Sequence, residues 1–184
     1  MTAAASHLVQ SDRPPSRPRA VDPARAAILC AANINPRTGL ATDYLNHFNE
    51  AVMLLEMIPD IPECAEDFLA WKALSYAEHF TATSFKARDL VIEAYAQADP
   101  DIRGRFDHLA RTMTDILLAV GAAMREATQD KTRGKLAEQA AGWVKPLVTQ
   151  LGGIIHGDIE SAPLPDQAEV DPADAVDVIM SGGL

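Results

Sequence analysis

The sequence predicts an all-α protein, an up-and-down antiparallel helical bundle carrying a disordered N-terminal arm and a C-terminal tail. Three observations predict it. Hydrophobic residues are 48% of the chain but aromatic residues only 5%, the balance of alanine- and leucine-rich packed helices rather than of a β-sandwich. Apolar residues recur at three- and four-residue spacing through most of 25–156, the period of a one-sided helix. The segments joining these stretches are short, which favours antiparallel neighbours. A length of 184 residues accommodates one such domain plus tails, and no longer period recurs that would indicate a solenoid.

Residues 1–24 hold Pro14, Pro15, Pro18 and Pro23 among Ser and Arg, a composition that buries too little surface to repay ordering. A first short helix is expected over Ala24 to Asn33, ended by the turn residues Pro36 and Gly39. Thr42 reads as an N-cap for a helix whose Tyr44, Leu45, Phe48, Val52, Leu55 and Ile58 form the buried stripe. Pro59 and Pro62 stop it, and a shorter amphipathic piece follows through Phe68, Leu69, Trp71 and Leu74.

Ser75 and Glu78 have capping-box spacing, and Tyr76, Phe80, Leu90, Val91 and Ala94 supply the stripe of the helix that follows. Asp99-Pro100 is a cap with proline at the first helical position. It opens a spine of Ile102, Phe106, Leu109, Met113, Ile116, Leu117, Val120 and Met124, roughly 40 Å long at the helical rise. A reversal at Gln129-Asp130 leads to the last helix, through Leu136, Ala140, Trp143, Leu147, Leu151 and Ile154, with a kink expected at Pro146. The bundle thus spans 25–156, residues 157–172 read as an extended proline-containing linker, and 173–184 as a separate peptide.

The net charge of −10 is uneven: residues 157–184 hold seven acidic side chains and no basic one. Lys and Arg are nowhere concentrated, which argues against nucleic acid or an anionic membrane as partner. No stretch reaches the ~20 apolar residues of a membrane span. The start, Met1 to His7, lacks the apolar run of a secretory signal, so a cytoplasmic protein with reduced thiols is expected. Cys30 and Cys64 then pack as small apolar groups.

Asp43, His47 and Glu50 return to one side of a helix because their spacings are four and three residues. With His79 they form a candidate site for iron, manganese or zinc. Di-metal carboxylate bundles, however, repeat a Glu-x-x-His spacing, and here the order is His47-x-x-Glu50 and occurs once. A boundary stripe of ion pairs and hydrogen bonds explains the same residues. Asn46 and Asn49, beside Tyr44 and Phe48, offer donors and acceptors suited to a peptide backbone in a groove, but an ordinary solvated helix face is the preferred reading of the same residues. Asp107, His108 and Asp115 lie on the spine helix, where Arg111 is the natural partner of a buried Asp115. No base, nucleophile or oxyanion donor stands at a recognisable spacing from them, and no Gly-x-Ser-x-Gly, Cys-x-x-Cys or phosphate-binding glycine loop occurs.

The segment Val176-Asp177-Val178-Ile179-Met180-Ser181-Gly182-Gly183 places Val176, Ile179 and Met180 on one helical face and is too short to fold without a partner. It resembles the terminal peptides by which bacterial flagellar motor-switch proteins and chemotaxis phosphatases bind the response regulator: apolar, Asp, any, apolar, apolar, then small residues. The resemblance covers about twelve residues, and Gln167 to Asp171 repeats its first half. Chemotaxis phosphatases are likewise helical bundles joined by a linker to such a peptide. It implies that Asp177 meets a basic residue of the receiver domain while Val176, Ile179 and Met180 fill an apolar groove. Those enzymes carry an Asp and a Gln four residues apart on the catalytic helix, and no Asp here is followed by Gln at that distance. The expectation is therefore a non-catalytic signalling or regulatory protein, free to form homo-oligomers, that binds a partner such as a response regulator without the phosphatase reaction. A carboxylate and histidine metalloprotein is the alternative.

Overall fold

A computed structural model describes residues 22–158. The calls on the N-terminal arm up to residue 21, on the linker from 159, and on Val176, Asp177, Ile179 and Met180 lie outside the described residues. Within them the protein is all-α, with seven helices. These are α1 (Pro23–Ala31), α2 (Leu45–Met57), α3 (Cys64–Ala70), α4 (Tyr76–Ala82), α5 (Arg88–Gln97), α6 (Pro100–Glu126) and α7 (Asp130–His156).

α6 and α7 are 27 residues each and pack side by side through the short connection between them. Their facing stripes, Phe106, Leu109, Met113, Leu117, Val120 and Met124 against Leu136, Ala140, Val144 and Leu151, are buried. α2 lies along α7, and α3 bridges α2 and α6. The capping signals act as the sequence implies. Asp99 accepts from Asp101 and Ile102 at the start of α6, and Ser75 and Glu78 exchange both bonds of the capping box. Arg133 Nε donates to the carbonyls of Met124 and Ala127, closing the exposed end of α6.

Five expectations shift. α1 begins at Pro23, capped by Asp22, the same Asp-Pro signal as at α6, so the arm ends earlier than residue 24. Thr42 to Tyr44 form a 3₁₀ turn that runs into α2 without a side-chain cap. The stripe from Tyr76 to Ala94 belongs to two helices, because the chain leaves the helix at Thr83 and resumes at Arg88. Threonine and serine crowd that point, and they compete for backbone hydrogen bonds. Asp115 is exposed, and so is Arg111, so no buried charge awaits a partner on the spine. α7 continues through Pro146. Pro146 and Gly142, the residue whose carbonyl loses its partner, are both exposed, where water replaces the bond.

The non-helical stretch 33–41 is buried rather than superficial. Ile34, Thr38, Leu40 and Ala41 are each at most 1% exposed. Asn35 Nδ2 and Thr38 Oγ1 both donate to the Ile155 carbonyl, at 2.9 and 2.8 Å, fixing the end of α7. Gly157 follows in the left-handed conformation, φ 81°, and the amides of Gly157 and Asp158 bond back to Ile154 and Gly153, a Schellman ending. Gly39 is also left-handed, φ 73°, and a Cβ there would stand 2.7 Å from the Ala94 carbonyl oxygen.

Gly39→Ala is therefore expected to lose about 2–4 kcal/mol, from left-handed strain and overpacking together. Gly153→Ala, in a helical position with open space around it, should gain up to about 1 kcal/mol. Urea unfolding of the two variants beside the parent checks both.

Candidate functional site

The side chains that carry chemistry gather at one end of α2. Tyr44 and His47, one turn apart, hold the extended segment after α3. The Leu74 N–H donates to His47 Nε2 at 3.2 Å, and the Tyr44 hydroxyl donates to the Leu74 carbonyl at 3.0 Å. Trp71 donates its indole N–H to the His47 carbonyl at 3.2 Å and stacks on the His47 ring, centroids 4.6 Å apart. Half-buried Leu74 thus has both backbone groups satisfied by side chains of α2 and its leading turn.

This strap delivers α4. Tyr76 stacks on Tyr95 of α5 at 4.5 Å, meets Phe106 of α6 edge-on, and accepts the Ala41 N–H on its hydroxyl at 2.9 Å. Tyr95 donates to Asp107 Oδ1 at 2.6 Å, and Phe85 packs on Phe80. Sequence reasoning missed this assembly, since its members come from five elements and no periodicity links them. Asp107, beside which the sequence shows no catalytic partner, is the acceptor of a structural hydrogen bond.

His47 and His79 do converge. Their ring centroids are 5.7 Å apart, and they are 4% and 8% exposed. Accepting from Leu74 leaves His47 Nε2 without a proton, so the neutral ring carries its hydrogen on Nδ1. Burial, and then the neighbouring His79, push the His47 pKa down to about 4. Burial also lowers His79, opposed by a hydrogen bond to the Asp43 backbone carbonyl and by the carboxylates of Asp43 and Glu50. Tyr44, Tyr76 and Tyr95 are all raised, chiefly by burial, and remain protonated donors.

Asp43, His47 and Glu50, which the helical spacing puts on one side, are joined by His79, whose approach to His47 the sequence leaves open. Glu50 is nevertheless exposed, and a nitrogen of each histidine is engaged with backbone. Among the described residues no group of three or more His, Cys, Asp or Glu is arranged to hold a metal ion. Cys64 is buried and Cys30, expected to pack inside, is exposed; both are free thiols.

Beside His79 opens a cleft of about 520 Å³. Its wall combines the end of α1, the start of α2, α4, and the 83–87 connection whose existence the sequence did not reveal. Asp43 and Asn46 line it, whereas Tyr44 and Phe48 are core residues and Asn49 is exposed outside it.

Two consequences are measurable. Because the folded pKa of His47 lies below its unfolded value, the unfolded chain takes up a proton first as pH falls. Stability is then flat above about pH 7 and declines from about 6.5 towards 4. Between pH 7.5 and 5 His47 contributes about 2 kcal/mol of this loss, and His79 adds to it in the same direction. Urea unfolding at both pH values should show a smaller difference in His47→Gln. Tyr76→Phe leaves the Ala41 N–H buried without its acceptor and should cost about 1–3 kcal/mol, read from the same unfolding curves.

Comparison with protein-family models, with curated proteins and with solved structures finds no match for this chain, so no residue inherits a role from a relative.

Proposed function

We propose that this is a cytoplasmic, non-catalytic signalling or regulatory protein that binds a partner, a receiver domain of a response regulator being the best fit, through Val176, Asp177, Ile179 and Met180. The observation that carries the reading is the concentration of seven acidic and no basic side chains in 157–184 around an apolar peptide pattern. Such a segment is steered to a basic, apolar groove and folds on it. The bundle supports it in one respect: its last helix ends at a fixed point, with Ile155 held by Asn35 and Thr38. No helix among the described residues is long and apolar enough to cross a membrane.

Deleting residues 173–184 should abolish capture by a purified receiver domain while leaving the melting temperature of the bundle unchanged. Asp177→Lys in the full chain should weaken capture by about tenfold or more, as reversal of an interfacial charge does. Undiminished capture by both variants would sink the proposal.

A second reading, a metalloprotein binding iron, manganese or zinc, draws on the approach of His47 and His79 and requires His47 to release Leu74. Elemental analysis of the purified chain tests it. Stoichiometric metal with a raised melting temperature is the expected result on that reading, and metal-free protein indifferent to added ions removes it.

A further inference from the structure

The outer face of α2 is apolar where a surface helix is ordinarily polar. Met53, Met57 and Ile61 are 53%, 37% and 45% exposed and follow one another at four-residue spacing, which sets them on one line along the helix. The Ile61 N–H donates to the Met57 carbonyl at 2.8 Å, so the line continues past the end of α2. The core side of the same helix, Phe48, Ala51 and Leu55, is already buried. Among the described residues only Ile28 on α1 and Leu118 on α6 are further large hydrophobic side chains left exposed. Exposed apolar surface is thus gathered on α2, and a gathered patch marks contact with another molecule where single exposed residues do not.

The charge around the line says what covers it. Residues 38–71 hold seven Asp and Glu and no Lys or Arg. Glu50 and Glu56 each stand three residues from Met53, about 5–6 Å away on a helix surface and so inside the ~8 Å screening length at physiological salt. Asp60 lies in the turn that carries the line to Ile61. Lys145 and Arg133 of α7 reach Glu56 and Glu66, and the stretch as a whole stays negative. A second copy of the chain would set like charges against each other here, and so would the acidic segment 157–184. A helix with an apolar stripe flanked by lysine and arginine matches both the line and its rim, and flexible thioethers adapt to the shape of such a stripe. We propose that the Met53–Met57–Ile61 face of α2 is a docking surface for a basic amphipathic helix of another protein. It is a second contact, separate from the C-terminal peptide, and stands whether or not that peptide binds a receiver domain.

Fluorescence anisotropy of a labelled leucine–lysine peptide tests it, about 18 residues long so that it can form a helix and with leucine at three- and four-residue spacing. Titration with the full chain should give saturable binding with a Kd of about 100 μM or tighter, and a leucine–glutamate version should bind about tenfold or more weakly. Met53→Asp removes apolar contact while adding negative charge, so general attraction to a cationic peptide would rise; binding should instead weaken by about tenfold or more. Leu118→Asp adds the same charge elsewhere and should leave binding within about twofold. Both positions are exposed, so both variants should keep the parent melting curve. No saturable binding up to about 1 mM, equal affinity for the two peptides, or equal effects of the two variants would each overturn the proposal. A dimer of the full chain that Met53→Asp dissociates would overturn it in favour of a second copy. Binding that tightens about tenfold or more on removal of residues 1–21, which hold three Arg, would overturn it in favour of the chain's own arm.

Discussion

Backbone that is withdrawn from water but not helical must find partners for its N–H and C=O groups, and this constraint acts on the largely buried stretch 33–41 and on half-buried Leu74 in the strap 71–75. In the first, the Ile34 N–H goes to Leu29, Asn35 to Leu40, and Gly39 back to Asn35. Arg37 donates to the Asn35 side chain, Leu40 to the Thr38 hydroxyl, and Ala41 to Tyr76. In the second, Leu74 is held at both ends by Tyr44 and His47. Beside their apolar stripes, the helices are thus tied together by side chains that complete the hydrogen bonding of loops. Tyr76 and Thr38 each tie one loop to an element far away in sequence, which is why the 33–41 stretch, a plain turn by its Pro and Gly, behaves as interior.

The same constraint decides what the histidines are. His47 needs a bare Nε2 to accept from Leu74, so charging it turns an acceptor into a donor facing a donor. Burial and a second imidazole work in the same direction. His79 is pulled both ways, by burial against two carboxylates and a carbonyl, and burial wins. The tyrosines sit on the other side of the balance, kept protonated and donating. An interior built this way holds many polar atoms without holding charge, in keeping with the cost of a buried ion.

How far the sequence discloses this depends on the range of the interaction. α6 and α7 announce themselves because a long amphipathic period and an Asp-Pro cap are local signals, and the capping box at Ser75 is equally local. The break between α4 and α5 is not legible from periodicity: Leu90, Val91 and Ala94 stay in helical register with Tyr76 and Phe80 across it, and only the Thr81, Thr83 and Ser84 cluster hints at the interruption. The spacing of Asp43, His47 and Glu50 puts them on one side, and only the structure brings His79 to them. It does not reveal that Leu74 and Asp43, through their backbones, have already claimed the ring nitrogens. The tail is a different case, since its pattern is read from residues beyond those described.

The cleft follows from that unannounced break. Had α4 continued into α5, the 83–87 residues would have been one more helical turn with their side chains sorted into core and solvent. Leaving the helix at Thr83 instead turns Phe85 inward onto Phe80 and leaves Ser84 and Lys86 on the rim, opposite no partner of their own. Nothing in the hydrogen bonding of the interior involves the exposed side chains of Asn46, Ser84 or Lys86. The side chain of Asp43 is in the same position, although its backbone carbonyl is held by His79. Substitutions there alter the electrostatics of the concavity with little effect on the bonds that fix the loops.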